Sequence, residues 1–508
     1  MADDFNKPNI TIPLGFSYDQ RGQDSRALIA NPYTSGTDQR KINAYYQVYK
    51  NAVTGNSTVE LCKRPGVRTS GKTGGSSGYT QYLVCNVTGS ESSGSWVASS
   101  NGSTVSVTNS GGTISSALIP VYLDKTIISG TPTAVLQLRN PNAALPPPMT
   151  AYYSTGSGWT QISASAYTGI SHVGKMEHLD GFAFQLGYDN NVYNSDLNSV
   201  SAWTSGNFLA KQIQQDRSHG LALFKDKILA FGSETVEFFR NVGNPSGSPL
   251  ISVPELSEKI GMGLLADPNQ VTSVGGTTSY YATVGGVMYF VGRRGGPALL
   301  NLGVFAYNGR EFGKVSNSAI DRIISDTGSG YIYSITPFTF YGNNAVAIQL
   351  TAPGTTTQRW LMYFPDHGEW FEWVSDVFSP VNDGRVFLGS VVGDTNTYWF
   401  LNASFDDTWQ DAGTAYNMLV QFRLPSGGNN RKFMRWCALE ADTTSAASNV
   451  AVSFSDNDYQ SFTSAGNIDL SSQEKRLMRN GSYKNRVVML DHGSNYECRI
   501  RKFMARVE

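Results

Sequence analysis

A repeated strand–turn–strand pattern between about residues 165 and 410 restricts the fold of this chain more than any other feature. Short apolar and aromatic runs alternate with turn residues, as in GLALFKDKILAFGSETVEFF (220–239), GGVMYFVGRRGG (285–296) and RWLMYFPDHGEWFEWV (359–374). Short strands with a turn at roughly every 8–12 residues are typical of a β-sandwich or a β-propeller. Because the repeat matches neither the WD nor the kelch consensus, its period predicts antiparallel β structure without choosing between these two architectures.

The composition supports an all-β chain that builds its own hydrophobic cores. Charged residues make up 16% and aromatic residues 12% of the 508 residues, and 52 glycines supply turns. The hydrophobic content of 40% is too high for a disordered chain. Only ISVPELSEKIGMG (251–263) and NSAIDRIIS (317–325) predict short helices.

The length favours more than one domain. We expect an N-terminal arm with the first strands over 1–71, a Ser/Gly-rich β insertion over 72–165, the repeating β region over 166–410 and a C-terminal β-sandwich-like region over 411–508. Within the insertion, the triple proline of NPNAALPPPM (140–149) predicts a stiff connection.

The charge of the chain and the pattern of its N-terminus limit the classes of partner and the cellular location that we expect. A net charge of −1 is unlike that of a strongly basic nucleic-acid binder, although residues 421–508 carry 13 Lys/Arg against 9 Asp/Glu. The N-terminus MADDFNKPNI has acidic residues where a signal peptide would have a basic region and an apolar run. No stretch approaches the ~18 apolar residues of a membrane span. We therefore expect a chain without a membrane segment, made in the cytoplasm.

The residue types that carry chemistry do not form a recognisable constellation. Cysteines 62, 85, 437 and 498 lack zinc-site spacing, and reduced, mostly buried thiols are expected. His172 and His178 bracket Glu177 without a metal motif, and His219 has no nucleophile elbow to serve. The sequence therefore predicts no catalytic, metal-binding or cofactor-binding residue, no cofactor and no enzyme activity.

Three further patterns receive structural interpretations. Glu234 and Glu237 are three positions apart, which places them on opposite faces of a strand, so we expect one to face solvent and the other to cap a turn. The stretch AVSFSDNDYQSF (451–462) resembles the Ser/Asp/aromatic turn of sialidase-type propellers and predicts a β-hairpin. Arg293 and Arg294 are expected at an exposed hairpin tip, although their forked donors also suit a phosphate or carboxylate.

The order of the landmarks along the chain resembles that of a known family. KRPG (63–66), HLDGFAFQLGYDNNVYNSDLNSVSAW (178–203), LALFKDKILAFGSETVEFFRNVG (221–243) and VFAYNGREFGKVSNSAID (304–321) follow one another as in the packaged-DNA stabilisation proteins. These are the tail hub or nozzle proteins of short-tailed bacteriophages (podoviruses). The residues that match the family motifs, all with expected structural roles, are Lys63, Arg64, Pro65, Gly66, Asp180, Gly181, Ser195, Asp196, Trp203, Phe231, Gly232, Thr235 and Glu237.

The resemblance implies a β-propeller body over 166–410 with inserted loops and strands, and a homo-oligomer that forms a hexameric ring. It further implies a structural virion protein of the tail, assembled in the host bacterial cytoplasm, that extends the DNA channel of the portal and the head-to-tail adaptor. Such a hub retains the packaged double-stranded DNA, which passes through the lumen without sequence-specific binding. It also docks tail fibres or spikes.

Two alternatives stay open. The first is a glycan-binding or glycan-hydrolysing β-propeller, which would need a central pocket with clustered acids or aromatic residues. Core packing is the simpler explanation of the candidate tryptophans, which are Trp360, Trp370, Trp373, Trp399 and Trp409. The second concerns KRPG (63–66), whose basic residues are expected either to close a rigid turn or to anchor the N-terminal arm to a neighbouring subunit.

Overall fold

The computed structural model of the chain is almost wholly β. It describes residues 8–14, 41–50, 57–73, 81–86, 95–100, 104–108, 112–115, 119–139, 149–155, 158–213, 216–244, 246–256, 263–264, 280–293, 302–327, 332–340, 342–351, 358–375, 387–389, 397–401, 409–411, 413–424, 430–457 and 459–508. The predicted stiff connection at 140–149 lies almost entirely outside these residues, between two paired strands.

Four successive antiparallel sheets of four strands each follow the chain order, so each sheet is a simple meander. Apolar and aromatic residues alternate with turn residues here, which is why the strands are short. The strands are β6 (Gln81–Asn86), β7 (Ser95–Ser100), β8 (Thr104–Thr108), β9 (Gly112–Ser115); β10 (Ile119–Ile128), β11 (Thr131–Arg139), β12 (Met149–Ser154), β13 (Thr160–Gln161); β14 (His172–Leu179), β15 (Phe182–Gly187), β16 (Asn191–Asn194), β17 (Phe208–Ala210); β18 (Ser218–Phe224), β19 (Lys227–Gly232), β20 (Val236–Asn241) and β21 (Leu250–Ser252).

Two further groups of strands continue this arrangement. The first is a five-stranded sheet in which β24 pairs with β22, β23 and β25. The second is a four-stranded meander that extends into a larger sheet. Their bounds are β22 (Gly263–Leu264), β23 (Tyr281–Val284), β24 (Val287–Arg293), β25 (Leu302–Tyr307), β26 (Phe312–Lys314); β27 (Ile332–Phe340), β28 (Asn343–Thr351), β29 (Gln358–Phe364) and β30 (Glu369–Ser375).

Helix is confined to two short segments among the described residues, α1 (Ser165–Thr168) and α2 (Ser318–Thr327). The prediction at 317–325 is confirmed by α2. The prediction at 251–263 is wrong where the structure describes it, because β21 includes Ile251 and Ser252 and a turn follows. Phe239 and Arg240 pair with β21 and draw this segment into the sheet.

Consecutive sheets pack face to face through shared hydrophobic layers. Val173 and Phe184 pack against Leu221 and Ile228 of the next sheet. The same kind of layer joins Phe231 to Phe290, whose ring centroids are 5.0 Å apart. Edge strands of neighbouring sheets also touch, as in the contacts of β6 with β10, β14 with β18 and β23 with β27, and we call these strands the inner strands. Sheets packed side by side in this way form a β-propeller body, and we call each sheet a blade.

The remaining strands form a β-sandwich and one blade of mixed origin. N-terminal strands take part in both: β5 lies between β32 and β33 in the blade, and β4 pairs with β42 in the sandwich. The bounds are β1 (Ile10–Pro13), β2 (Lys41–Ile42), β3 (Ala44–Lys50), β4 (Ser57–Lys63), β5 (Val67–Thr73), β31 (Phe387–Gly389), β32 (Thr397–Leu401), β33 (Gln410–Asp411), β34 (Thr414–Ala415), β35 (Met418–Arg423), β36 (Lys432–Ala441), β37 (Asn449–Ser455), β38 (Thr463–Asp469), β39 (Arg476–Met478), β40 (Ser482–Tyr483), β41 (Val487–His492) and β42 (Arg499–Val507).

One sandwich sheet has the order β3-β4-β42-β36-β39, with β1 on β42 and β40 on β36. The other runs from the blade β27–β30 through β2 to β35, β41, β37 and β38. Phe422 and Phe503 meet between them with ring centroids 5.1 Å apart. The all-β prediction with a propeller body and a C-terminal sandwich is therefore confirmed. The division at residues 71, 165 and 410 stays a prediction, and the strands of 119–161 already form a blade-like sheet.

Candidate functional site

The KRPG segment lies inside the molecule. Lys63 and Arg64 are completely buried. Arg64 Nη1 donates to Asp411 Oδ1 at 2.8 Å, its Nε donates to Asn43 Oδ1 at 2.9 Å, and its guanidinium carbon is 3.8 Å from the ring centroid of Tyr416. Because these partners belong to the same chain and exclude solvent, the hypothesis that this arginine anchors the arm to a neighbouring subunit is wrong.

The same segment is the passage from the sandwich to a blade. Lys63 ends β4 and donates from Nζ to the Ser494 carbonyl at 2.9 Å, and burial lowers the pKa of its ammonium to about 8. Pro65 and Gly66 precede β5, and a Cβ at Gly66 would collide with the backbone of Gln410. The glycine is therefore required by close chain approach, and the motif is structural.

A buried carboxylate explains the Glu–Thr–x–Glu turn. Asp216 Oδ1 accepts hydrogen bonds from Lys211 Nζ at 2.8 Å and from Thr235 Oγ1 at 2.7 Å. Its Oδ2 accepts from the backbone N–H of Glu234 at 2.7 Å and of Thr235 at 3.0 Å. We call Lys211, Asp216, Thr235 and Glu237 the blade latch, since they fasten the loop before β18 to the turn between β19 and β20.

Glu237 holds the other end of the same loop. Its two carboxylate oxygens accept the backbone N–H groups of Gln212 and Ile213, each at 2.9 Å, and the residue is completely buried. Glu234 is only partly exposed and contributes its backbone N–H. The structural interpretation of the pair therefore holds: Glu237 is a cap for a neighbouring segment, and the two glutamates share no reaction centre.

Gly232 and Phe231 complete this motif. A Cβ at Gly232 would overlap the Asp216 carboxylate, so only glycine admits the latch at this position. Phe231 is completely buried and packs against the next blade. The FGSETVE stretch thus encodes one latch, one inter-blade contact and one cap.

The β14–β15 turn contains two motif residues in left-handed backbone conformations. Asp180 has a φ of 51° and Gly181 a φ of 81°, and a Cβ at Gly181 would lie 2.7 Å from Asn198 Oδ1. Asp180 Oδ2 accepts a hydrogen bond from Asn241 Nδ2 at 3.0 Å. The Asp–Gly pair therefore shapes a tight turn and links it to the neighbouring blade.

The Ser–Asp and Trp landmarks have similar roles. Ser195 Oγ accepts the backbone N–H of Ala183 at 2.9 Å, and Asp196 Oδ2 accepts from Thr204 Oγ1 at 3.1 Å. Trp203 is buried, and its indole N–H donates to the Val200 carbonyl at 2.9 Å. All of these contacts fix the long connection between β16 and β17.

The candidate histidines and cysteines lie within the fold. Burial lowers the pKa of His172 and of His178 to about 4. Within the described ranges, no group of three or more His, Cys, Asp or Glu residues could hold a metal ion. The thiols of Cys62, Cys437 and Cys498 are free and buried, as predicted, and Cys85 belongs to a strand whose side chains lie outside the description.

The two remaining turn predictions have different outcomes. Ser455 Oγ donates to Asn457 Oδ1 at 2.9 Å, and Tyr459 has a φ of 70° at the place where the sialidase-type turn has glycine. The predicted hairpin is confirmed, since β37 and β38 pair. The prediction that Arg293 lies at an exposed hairpin tip is wrong, because its side chain is partly buried and its Nε donates to the Ser233 carbonyl at 2.8 Å. Arg294 lies outside the described residues.

Core packing accounts for most of the candidate tryptophans. Trp360, Trp373 and Trp409 are buried. Trp370 is partly buried, and its indole N–H donates to the Val315 carbonyl at 3.1 Å. The side chain of Trp399 lies outside the described residues.

A polar cluster that the sequence did not reveal lies on the inner strands of three blades. Asp124 comes from β10, Lys175 and Glu177 from β14, and Tyr281 from β23. Lys175 Nζ forms an ion pair with Asp124 and lies 3.7 Å from Glu177 Oε2, while Tyr281 OH donates to Glu177 Oε1 at 2.9 Å. We call these four residues the axial cluster.

Two glycines let the inner strands approach closely enough to build this cluster. A Cβ at Gly174 would lie 2.7 Å from the Gly220 Cα, and Gly174 has a φ of 69°. A Cβ at Gly220 would lie 2.6 Å from the Tyr280 ring, whose hydroxyl donates to the Leu221 carbonyl. Close approach of β14, β18 and β23 therefore depends on residues that are far apart in the sequence.

The axial cluster holds two carboxyl groups with different environments. The side chain of Glu177 is 4% exposed, and burial raises its pKa to about 7. The negative charge of Asp124 acts in the same direction, whereas Lys175 and the Tyr281 hydroxyl oppose it. Asp124 is 28% exposed and contacts the same ammonium group. Chemically, Glu177 can exchange a proton near neutral pH while Asp124 stays within reach of solvent.

No protein-family model matches the chain, and a search of curated proteins found no match. Solved structures with a similar fold include an exo-β-1,3-galactanase from Phanerochaete chrysosporium (10% identity, 76% of this chain and 96% of that chain, TM-score 0.30). They also include an ancestral GH74 enzyme (10% identity, 71% of this chain and 54% of that chain, TM-score 0.36) and a chain of the mitotic checkpoint complex (9% identity, 68% and 96%, TM-score 0.35).

These neighbours contradict the expectation that the chain is not an enzyme, because several of them are glycoside hydrolases. That expectation is withdrawn. The likeness concerns the fold alone, and at this identity it assigns no activity to the chain. Neither helix among the described residues has the length and apolar composition that a membrane span requires.

Proposed function

We propose that this chain is a tail hub of a short-tailed bacteriophage, a structural virion protein that extends the DNA channel below the portal and its adaptor. The observation that carries the proposal is the collinear order of the family landmarks. Its support from the structure is that the described landmark residues shape turns, fix loops and join blades. Residues with such roles are retained when a family keeps an architecture, whatever else its members do.

The interior of the body suits a wall that must keep its shape. The blade latch fastens one loop at both ends, and aromatic layers join adjacent blades. A set of blades fixed in this way resists relative displacement because interiors packed at crystal density transmit strain and compress little. We infer that the hub retains packaged DNA and presents fibres or spikes through shape and assembly, as a hexameric ring.

The deciding experiment is quantitative mass spectrometry of purified phage particles, comparing peptides of this chain with portal peptides. A hexameric hub of this family predicts about one copy for every two portal subunits. Electron microscopy of the purified chain with its portal and adaptor then checks for a ring. Absence of the chain from particles contradicts the proposal.

A second candidate function, a glycan-directed protein, is favoured by the axial cluster. A carboxyl group with a raised pKa beside a second carboxyl group is the pairing that hydrolysis of a glycosidic bond requires. Glu177 would be the proton donor and Asp124 the second carboxylate. The inner strands of a propeller are also where a ligand entering along the axis would meet side chains.

The test for this candidate is hydrolysis of a panel of aryl glycosides and oligosaccharides by the wild-type chain, Glu177→Gln and Asp124→Asn. Activity that falls at least a hundredfold in both variants supports it. Asp226→Asn, which removes an exposed carboxylate, is the matched control and should retain full activity. An inactive wild-type chain that also binds no glycan on an array eliminates this candidate and leaves the hub proposal untouched.

A further inference from the structure

The near-neutral chain carries a strongly basic surface on its C-terminal sandwich. Residues 430–436 and 475–486 contain eight Lys/Arg and no Asp/Glu, although the whole chain has a net charge of −1. Such a local excess produces a positive potential that the net charge conceals.

Strand pairing brings the two basic segments together. Phe433 on β36 pairs with Ser482 on β40, and Trp436 pairs with Met478 on β39. Where β39 ends, the backbone N–H of Arg479 donates to the carbonyl of Arg435 at 2.7 Å. The sandwich therefore brings seven basic residues into one region, which we call the basic face: Arg431, Lys432, Arg435, Lys475, Arg476, Arg479 and Lys484.

Several of these cations form no ion pair with a residue that the structure describes. Arg435 Nε is 2.6 Å from Glu508 Oε2, so its charge is compensated. Arg431, Arg479 and Lys484 are exposed, and none of them forms an ion pair with a described residue. Three exposed charges in one region repel one another, and a polyanion would relieve that repulsion.

The remaining side chains suit a backbone ligand. The guanidinium of Arg476 lies 4.5 Å from the ring centroid of Trp436, which fixes its direction. Met478 is 61% exposed and Phe433 43% exposed, so the cations are interleaved with apolar groups that can contact sugars. The two basic segments contain no carboxylate that would repel a polyanion, and their arginines offer forked donors that fit phosphate.

Arg479 has a left-handed backbone conformation, which limits the substitutions that can be used to test it. Its φ is 61°, a conformation that costs a residue with a Cβ energy that glycine would not lose. The side chain is exposed, so burial does not return that energy.

We propose that this basic face binds the phosphate backbone of duplex DNA without sequence preference. The inference does not rest on the hub proposal, because it follows from the charge and geometry of the sandwich alone. It predicts binding that depends strongly on salt, because each phosphate contact releases condensed counterions.

The test is fluorescence anisotropy of the full chain with labelled duplexes of two unrelated sequences, at salt concentrations from about 50 to 200 mM. The variant Arg431→Gln/Arg479→Asn/Lys484→Gln removes three charges, and asparagine is chosen because it tolerates a positive φ. We expect the variant to bind at least ten times more weakly. The slope of log K against log salt should also fall by about 2.7, since each lost phosphate contact accounts for about 0.9.

The matched control is Lys125→Gln/Arg240→Gln/Arg310→Gln, which removes three exposed charges from the blades. It should bind like the wild-type chain. Equal losses in the two triple variants, or no duplex binding by the wild-type chain at about 50 mM salt, overturn the proposal. Binding of polyglutamate in preference to duplex also overturns it and points to an acidic protein partner.

Discussion

Two buried carboxylates, one in the blade latch and one in the axial cluster, respond to burial in opposite ways. Burial alone would raise the pKa of Asp216, but the hydrogen bond and charge of Lys211, together with N–H and hydroxyl donors from the turn, lower it. Glu177 has one hydroxyl donor and shares the Lys175 ammonium with Asp124, so burial prevails and its pKa rises to about 7.

The difference shows that the number and placement of donors decide whether a buried acid stays charged. Asp216 receives four hydrogen bonds, two of them from backbone N–H groups fixed by the turn. A fully coordinated carboxylate fastens structure, because losing its charge leaves every donor unsatisfied. A poorly coordinated one is close to its protonation equilibrium at neutral pH, which suits proton exchange.

The largest expected effect comes from breaking the latch with Asp216→Ala. The side chain of Lys211 is completely buried, so the variant leaves its ammonium without a counter-charge. We expect the free energy of unfolding, measured by urea titration, to fall by about 3–5 kcal/mol. The control Asp226→Ala removes a carboxylate that is 71% exposed, and it should change stability by less than about 0.5 kcal/mol. Similar losses in the two variants would show that the latch does not bear on stability.

The second effect separates the two carboxylates by pH. The pKa of Glu177 is raised in the folded chain. The contribution of this residue to the free energy of unfolding is therefore complete below its pKa in the unfolded chain, and it is lost as the pH rises towards about 7. Relative to Glu177→Gln, the wild-type chain should lose roughly 3 kcal/mol of unfolding free energy between pH 4 and pH 8. Comparing the two proteins at each pH cancels the other titrating groups, and a pH-independent difference would contradict the raised pKa.

The lowered pKa of Asp216 gives the opposite sign. Its contribution is present above its unfolded pKa and is lost as the pH falls through its lower folded pKa. The axial cluster should therefore weaken towards alkaline pH and the latch towards acid.

A smaller effect tests the fit of the latch rather than its charge. Gly232→Ala places a Cβ against the Asp216 carboxylate and should cost about 1–3 kcal/mol. Gly313→Ala is the matched substitution, because it lies on a strand and its Cβ would meet no atom within 4 Å. Thermal unfolding of both variants compares them, and equal midpoints would show that the loop can move aside.

The smallest effect concerns the single hydroxyl donor of the axial cluster. Tyr281→Phe removes the hydrogen bond that holds the Glu177 pKa down, so that pKa should rise further. The expected cost at neutral pH is about 1 kcal/mol. The readout is the midpoint of the pH-dependent stability change, and a midpoint that shifts to lower pH would contradict the assigned role of the hydroxyl.

Sequence patterns predicted the parts of the fold that are local. The strands of 220–239, the hairpin of 451–462 and helix α2 all arise from neighbouring residues, and their turn residues specify them directly. The two chain-end strands β1 and β42 are a different case. They pair although nearly the whole chain separates them, and neither sequence contains a pattern that predicts its pairing partner.

The same distinction separates the two sites. A capping role for one of the two glutamates was predicted, but the segment that Glu237 caps was not, because its partners Gln212 and Ile213 precede it by 25 and 24 residues. The axial cluster joins Asp124 to Tyr281, which are far apart in the sequence. The sequence pattern around Glu177 raised only the question of a metal site between two histidines. Glycines such as Gly174 indicate in the sequence that strands approach closely, but they do not indicate which strands or side chains meet there.

The pairing of β1 with β42 has a consequence for biosynthesis. Strand β42 also pairs with β4 and β36, so the sandwich core needs a segment that leaves the ribosome after every other strand described. The blades between β6 and β21 need no such delay, because each is formed from consecutive residues. The nascent chain must therefore carry β1 and β4 without their final partner while the blades fold, and translation of β42 completes the sandwich.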